Sequence, residues 1–266
     1  MSQYYSGQGR LYVAERNADG TPKGFRALGN VPTLELSVEI TKFEHTESMS
    51  GQRATDLTIV QEKKGTFTMT MEDMSPANLA LALWGQTTAN VAGTAETAVI
   101  TAYLDSISAL PYPRVSSVVI KDSGETTTYE FGTAVGTTAV PGGALNGWVN
   151  EETGAVTVFS DAEQTARSAT VNIADEDELH ITSYDYEANT VVDAFTETSQ
   201  ERWLRFEGLN TIDDAPVIVD IFKANLDPLS GYGLINEELS SFELTGSVLY
   251  DELQAGSSKF FRQINI

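Results

Sequence analysis

A strict alternation of apolar and polar residues marks two segments of the chain as β-strands. Across residues 33–41 the even-numbered positions are apolar and the odd-numbered positions are polar. Residues 66–72 repeat the pattern, with Phe67, Met69 and Met71 opposed by threonines. Because successive side chains of a strand point to opposite faces of its sheet, each segment is predicted to have one buried face and one polar face.

The stretch between these two strands, EHTESMSGQRATD at residues 44–56, is polar and has no apolar periodicity. A tight hairpin needs about two to five connecting residues, whereas this connection has thirteen. One interpretation is a floppy surface loop. The other is a loop that contacts a neighbouring subunit. An extended chain of this length reaches roughly 40 Å, which is far enough for such a contact.

One short helix is predicted among the strands. In SPANLALALWG, Ser75 suits the N-cap, Pro76 the first turn and Gly85 the C-terminal cap. Further strand patterns are RLYVAERN, PVIVDIF and SSFELTGSVLYDE. We therefore predict a mainly β fold with one short flanking α-helix.

The composition changes after about residue 95. Short strand patterns separated by Gly, Pro and Asp turns follow, namely SSVVIKD, TTTYEFG, GAVTVFS, ATVNIA and LHITSYDYE. Residues 98–187 contain 14 acidic residues and three basic ones. The regular spacing predicts a small β-sandwich-like domain at 98–187, inserted between the two parts of a core formed by 1–97 and 188–266.

The formal net charge of −22 arises outside residues 1–64, where eight acidic and eight basic residues balance. A surface this acidic repels the phosphates of nucleic acids, so tight DNA or RNA binding is not expected. The chain has no cysteine, which excludes disulfides and thiol catalysis. The apolar runs are too short to span a bilayer and the N-terminus lacks a secretory pattern, so a cytosolic origin is expected.

Signals for catalysis are weak throughout the sequence. His45 and His180 stand 135 positions apart, and each is expected to be a surface or core-edge side chain. No nucleophile-elbow, zinc-protease, phosphate-loop or dinucleotide-binding pattern occurs. The acidic run DEDE at 175–178 lacks the ligand spacing of a calcium loop, so a solvated turn is expected. We predict no enzymatic activity, no metal site and no cofactor.

The two ends of the chain have distinctive compositions. Tyr4 and Tyr5 lie in a polar, Gly/Ser-rich N-terminal arm. The C-terminal AGSSKFFRQINI has the pattern of a flexible hinge followed by an apolar and basic end. An exposed Phe260–Phe261 pair would be a liability in a monomer, so a role in assembly is expected for both ends.

The N-terminal half resembles that of phage major tail tube proteins. The resemblance lies in the LGNVPTLELS strand, the long polar connection, the Thr-alternating return strand and the SPANLALALWG helix. It resumes from RWLRFEGLN to FELTGSVLYDE. It covers roughly residues 5–95 and 190–266, so the central module has the place of a variable insert.

This resemblance implies a tail-tube-type β-sandwich or barrel core with a flanking helix. Six copies would form a ring whose inner strands join into one β-barrel, and stacked rings would form the hollow conduit for DNA ejection into the host. The implied partners are a tape measure protein inside the tube and tail terminator and tail tip proteins at its ends. DNA would pass without sequence-specific binding and no membrane is involved. The location would be the virion tail, non-contractile for a chain of this length, assembled in the host cytoplasm.

Three sets of residues receive roles from the resemblance and the alternation. The lumen-facing candidates are Glu35, Glu39, Thr41, Thr68, Thr70 and Glu72. The inter-ring contact loop is represented by Glu44, Glu47, Met49, Arg53 and Asp56. The assembly arms are represented by Tyr4, Tyr5, Phe260 and Phe261.

Two other functions stay open. A tail-tip or surface adhesin would bind a host carbohydrate or receptor through the inserted domain, although Tyr112, Tyr129, Phe131 and Trp148 are scattered along it. A hydrolase with paired carboxylates is the third reading, since a sequence does not report how far apart its 38 acidic residues lie.

Overall fold

The computed structural model describes residues 4–49, 51–134, 142–199, 201–237 and 239–266. Its elements, in chain order, are β1 (Gly7–Glu15), β2 (Arg26–Ala27), β3 (Thr33–Thr46), β4 (Thr55–Met71), α1 (Pro76–Ala82), β5 (Gln86–Asn90), β6 (Gly93–Thr101), β7 (Ser106–Ala109), β8 (Val115–Lys121), β9 (Phe131–Ala134), β10 (Gly147–Asn150), β11 (Ala155–Val158), α2 (Asp161–Ala166), β12 (Glu178–Tyr186), β13 (Asn189–Asp193), β14 (Glu201–Asn210), β15 (Pro216–Leu226), β16 (Phe242–Val248) and β17 (Phe261–Asn265). The predicted mainly β fold is confirmed. The sequence pattern does not predict the second helix, α2.

The chain divides into two compact units. Unit 1 comprises Met1–Thr87 and Val192–Ile266, and unit 2 comprises Thr88–Val191. Unit 2 begins ten residues before the predicted insert at 98–187, because β6 pairs with β12 and so belongs to the same unit. One unit boundary falls within β5 and the other within β13. These two strands pair with each other as a two-stranded ribbon.

Unit 1 is built on an eight-stranded antiparallel sheet in the order β2-β1-β14-β15-β16-β4-β3, with β17 paired to β15. β16 pairs with the C-terminal end of β15 and β17 with its N-terminal half, so the two strands share one edge of β15. Within the described residues the path from β2 to β3 is open and does not close into a barrel. The core collects side chains of β1, β4, β14, β15, β16 and α1.

Helix α1 is confirmed, but its ends differ in detail from the prediction. Ser75 is the N-cap residue, yet its hydroxyl makes no capping hydrogen bond. At the other end the left-handed residue is Trp84, with φ of 48°, and not Gly85. A Cβ on Gly85 would lie 2.3 Å from the carbonyl oxygen of Asp193. The glycine is therefore required by the close approach of another chain segment.

Strands β3 and β4 form one long hairpin that is buried at one end only. In β4, Phe67, Met69 and Met71 are buried, whereas every residue from 55 to 64 is exposed. In β3 the alternating partial burial stops after Leu36. The predicted buried face is therefore confirmed for residues 66–71, whereas for residues 33–41 it is wrong beyond Leu36, because Val38 and Ile40 are exposed. The buried part coincides with β16, which pairs with residues 65–71 of β4 and no further.

The connection between these strands is shorter than the sequence suggests. β3 runs to Thr46 and β4 starts at Thr55, so the connection between the strands is residues 47–54, and Glu44 pairs with Thr58 within the ladder. Polar residues continue the strands because both faces are exposed there and need no apolar alternation. We call residues 38–64 the hairpin arm; Ser50 lies outside the described residues.

The Phe260–Phe261 pair near the C-terminal end is not fully exposed. Phe260 and Phe261 are partly buried against the unit 1 core, and β17 continues from Phe261. Arg262 of β17 pairs with the fully buried carboxylate of Asp220, at 3.0 Å. The expectation of a flexible, exposed Phe260–Phe261 end is therefore wrong. At the other end, Tyr4 and Tyr5 are exposed.

Unit 2 contains two three-stranded sheets, β6-β12-β8 and β11-β10-β9, that contribute to a common core. The segment ATVNIA at residues 169–174 is not a strand, although Ile173 is fully buried. Its backbone is held by the buried Gln164 of α2, whose amide accepts from the Ile173 N–H at 2.8 Å and donates to the Ile173 carbonyl at 3.0 Å. A side chain thus replaces the strand ladder.

Candidate functional site

The hairpin arm exposes apolar side chains on both of its faces. Paired residues of an antiparallel ladder share a face, and Phe43 pairs with Ile59 on one side. The opposite face carries Val38, Ile40 and Val60. Between 46% and 60% of each of these five side chains is exposed to solvent. A two-stranded ribbon is at best marginally stable in water, and exposed apolar patches mark contact sites, so this arm is the strongest candidate interaction surface in unit 1.

The tip of the arm combines a carboxylate with a bare thioether side chain. Met49 is 96% exposed, and the Glu47 carboxylate accepts the Met49 N–H at 2.8 Å. Gly51 and Arg53 both adopt positive φ and bend the turn. At its base, His45 Nδ1 lies 2.5 Å from the Asp56 carboxylate in an exposed pair. Of the predicted contact residues, Glu47, Met49 and Arg53 therefore lie in the turn, while Glu44 and Asp56 lie in the strands.

A polar face runs across three strands at the base of the hairpin and continues into the hairpin arm as far as Thr41. Glu35 pairs with Thr68, which pairs in turn with Thr245 of β16. Thr33 and Thr70 are also opposite each other, with their hydroxyl oxygens 2.7 Å apart. The structure thus brings five of the six lumen-facing candidates to one face; these are Glu35, Glu39, Thr41, Thr68 and Thr70.

Glu72 lies outside the paired ladder that carries this polar face. It follows the end of β4, and its carboxylate accepts a hydrogen bond from the Asn30 side chain at 2.5 Å. Its place is taken by residues of β16 that the sequence analysis missed, Glu243, Thr245 and Ser247. The alternation in SSFELTGSVLYDE contains that signal, because these positions oppose the apolar Phe242 and Leu244.

The polar face ends at a bulge. Thr41 pairs with Glu62 and Lys42 with Val60, so Gln61 is an extra residue in β4. Beyond the bulge the same face becomes apolar, with Phe43 opposite Ile59. This face of the hairpin is therefore polar from its base into the arm as far as the bulge, and apolar between the bulge and the tip.

The two histidines and the acidic run have local partners. His45 pairs with Asp56 in the arm, and His180 in β12 lies 2.7 Å from Glu178 and 3.3 Å from Glu125. These two hydrogen bonds raise the pKa of His180. In the acidic run, Asp175 accepts the Leu104 N–H, which fixes a turn.

Chemical groupings that hold metals are not found in the described part of the chain: no three His, Asp or Glu side chains there converge on a common point. Neither of the described helices is long and apolar enough to cross a bilayer.

Comparison with known proteins identifies the family of the chain. No curated protein is similar to the chain. The family model described as "Protein of unknown function UCP028589" matches residues 4–264, a span that contains nearly all of both units. The chain therefore belongs to this family.

Proposed function

We propose that the protein is the structural subunit of a phage tail tube, in which hexameric rings stack into a hollow conduit for DNA ejection. The observation that carries this proposal is the hairpin arm, an exposed ribbon with apolar side chains on both faces. A single copy leaves this surface in water, and other copies would cover it. Shared strands between copies would also protect the open edges of the large sheet.

The polar face of β3, β4 and β16 supplies the wall of the conduit in this proposal. Four carboxylates lie on it, from Glu35, Glu39, Glu62 and Glu243, against the single ammonium of Lys64 in the described residues of these strands. A wall of hydroxyls and carboxylates repels DNA phosphates and binds water. DNA could therefore move past it without adhering.

Electron microscopy of the purified protein tests the assembly. Hollow tubes or six-fold rings are expected from the wild type. The double variant Phe43→Ser with Ile59→Ser should stay unassembled with an unchanged melting temperature, because both side chains are half exposed in the single chain. A matched control removes two exposed apolar side chains of unit 2, Ile107→Ser with Val171→Ser, and should still assemble. Monomers of the wild type at all concentrations would refute the proposal.

The wall assignment has its own test. Glu35→Lys with Glu39→Lys should leave tubes intact but slow DNA ejection, because cations on the wall attract phosphates. Glu152→Lys with Glu176→Lys makes the same change of charge on exposed positions of unit 2 and should eject normally. Normal infectivity of the Glu35/Glu39 variant would overturn the assignment of this face to the lumen.

The alternative, an adhesin that binds through the inserted domain, has weaker support. Tyr112, Tyr129 and Phe131 are partly buried and pack against the unit 2 core. Tyr112 stacks on Tyr186 with ring centroids 3.9 Å apart, which directs both rings at each other. These rings are used in packing, whereas a carbohydrate site needs an exposed aromatic platform.

A further inference from the structure

A cavity of about 550 Å³ opens in unit 1 between helix α1 and strands β1 and β2. Its lining includes the apolar residues Val13, Leu81, Trp84 and Leu226. It also includes three cationic residues, Lys23, Arg26 and Arg202, and two acidic ones, Glu15 and Glu197. A cavity with apolar walls and an excess of cationic over acidic residues suits a ligand with both an apolar group and a carboxylate.

Arg26 is the cationic group whose charge is least compensated. Its guanidinium is half buried and donates to Asn78 Oδ1 at 2.5 Å and to the carbonyl oxygens of Ala27 and Ala77 at 3.4 Å. Among the described residues, no carboxylate lies within ion-pairing distance of it. Burial is the main cause that lowers the pKa of Arg26; Asp73 opposes it, and the positive charge of Arg202 adds to it.

The other two cations of the cavity have acidic neighbours. Lys23 pairs with Glu15 at 2.8 Å. Arg202 lies in the field of Glu15 and Glu197, which counteracts the effect of burial on its pKa. Of the three cations, Arg26 therefore has the weakest compensation by carboxylates. An additional carboxylate would be stabilised at Arg26, because charge-assisted hydrogen bonds to a guanidinium are strong when partly shielded from water.

The tip of the hairpin arm has the matching chemistry. It presents the bare Met49 side chain beside the Glu47 carboxylate. The ten exposed residues of β4 extend over about 30 Å at roughly 3.3 Å per residue, so the tip can reach another copy. Met is also a flexible side chain that fills irregular apolar cavities and makes favourable contacts with aromatic rings such as that of Trp84.

We propose that this cavity receives the arm tip of a second copy, with Met49 against Trp84 and Leu81 and the Glu47 carboxylate on Arg26. The inference rests on the proposed assembly of copies and names the contact that joins them. It pairs the most exposed part of the arm with the cavity that α1 and β1 leave open, so each copy both donates a tip and accepts one.

Disulfide trapping tests the contact directly, since the chain has no cysteine of its own. Met49→Cys and Ala77→Cys are prepared separately with tags of different size, mixed under assembly conditions and oxidised. A disulfide needs Cα atoms about 4.4–6.8 Å apart, so a heterodimer reports a close approach between copies. We expect this heterodimer to exceed at least tenfold that formed by Ile235→Cys with Ala77→Cys. Ile235 is a fair control because it is as exposed as Met49, at 96%.

A second experiment tests the charges and the space. Glu47→Arg alone and Arg26→Glu alone should each raise the concentration needed for assembly about tenfold, and the two together should restore it. Because Arg26→Glu also affects the buried Asn78, Ala77→Trp provides a variant that fills the cavity from an exposed position. Ala162→Trp, at the same second position of α2, is its control. We expect Ala77→Trp to block assembly with an unchanged melting temperature, and Ala162→Trp to assemble.

The outcomes separate this contact from the proposed function. Tubes that form normally while Met49→Cys fails to trap Ala77→Cys would overturn the cavity contact and leave the tube proposal standing. Preferential trapping through Ile235→Cys would assign the cavity to the loop around residue 235. A wild type that never assembles would overturn both.

Discussion

The two halves of the β3–β4 hairpin have the same secondary structure and opposite surroundings. At the base, Phe67 and Met69 of β4 are at most 1% exposed and lie in the unit 1 core. In the arm, Phe43 and Ile59 are about half exposed, although they pair as regularly as the base. The base has β16 beside it and the rest of the core above it. The arm has neither.

The difference shows that alternation predicts a strand but does not predict which part of the protein packs on its apolar face. An apolar residue every second position predicts a face that is removed from water, and in the base the same chain supplies the cover. In the arm, another molecule must pack on the apolar faces, because a ribbon with two exposed apolar faces is not stabilised by its own contacts. This surplus apolar surface is what links the fold to the proposed assembly.

The largest expected contrast is between two phenylalanines of the same hairpin. Phe67→Ala should destabilise unit 1 by about 3–5 kcal/mol, because it removes a fully buried ring and leaves a cavity. Phe43→Ala should change the free energy of unfolding by less than about 0.5 kcal/mol in unassembled protein. Urea unfolding below the assembly concentration measures both. Equal losses would mean that the arm packs within the single chain.

A second contrast compares a buried ion pair with an exposed one. Asp220 is fully buried and accepts from Arg205 at 3.3 Å and from Arg262 at 3.0 Å. Asp220→Asn should cost about 3 kcal/mol, since it removes the buried charge that faces two guanidiniums, although Arg205 keeps Glu207 as a partner and both guanidiniums partly reach water. Asp56→Asn in the arm should cost at most about 1 kcal/mol, because its partner His45 is half exposed.

The same ion pair explains what the Asp220→Asn variant should do to the C-terminus. Arg262 lies on β17, so losing its partner should increase amide exchange of Phe261–Asn265 more than that of β14. Hydrogen exchange measured by mass spectrometry resolves the two strands. Unchanged protection of β17 would show that its ladder with β15, and not the ion pair, holds it in place.

The features that sequence predicts well here are those decided by nearby residues. The alternation of residues 33–37 and 66–71 is clean because the covering elements belong to the same unit, and α1 is bounded by Ser75 and a positive-φ residue at its end. The continuation of the β3–β4 ladder into residues 44–46 and 55–56 was not recognisable, since polar residues fit a strand whose faces are both exposed.

Features decided by distant residues were missed for a physical reason. Whether Phe260 and Phe261 are buried depends on a free edge of β15 and on Asp220, which lies 42 positions before Arg262. The burial of Ile173 without a strand depends on Gln164. Arg26 and Arg202 both line the cavity beside α1, but they lie far apart in the sequence, so no sequence pattern indicates that they meet.

A third contrast concerns glycines in the base and the tip. A Cβ on Gly246 of β16 would lie 2.4 Å from the Asn225 carbonyl oxygen and 2.4 Å from the Phe67 ring. Gly246→Ala should therefore cost about 1–3 kcal/mol through displacement of a packed strand. Gly51 in the tip has open space around it, but its φ of +78° is strained for alanine, so Gly51→Ala should cost about 1 kcal/mol. Thermal unfolding of the two variants compares them, and an equal shift would contradict the difference in packing.

The smallest expected effect separates the two histidines. Hydrogen bonds to Glu178 and then to Glu125 raise the pKa of His180 above the ordinary value. A histidine whose pKa is higher in the folded state adds stability that is fully present below the unfolded pKa, about 6.5, and is lost as pH rises through the folded pKa. Unit 2 should therefore be slightly more stable at pH 6 than at pH 8.5 through this group.

His180→Gln should remove this part of the pH dependence, whereas His45→Gln, a change in the arm of unit 1, should leave it intact. The urea midpoint of unit 2 at the two pH values, followed through Trp148, gives the readout, and a proton NMR titration of His180 reports its pKa directly. A titration below the ordinary histidine value would contradict the role of the two carboxylates.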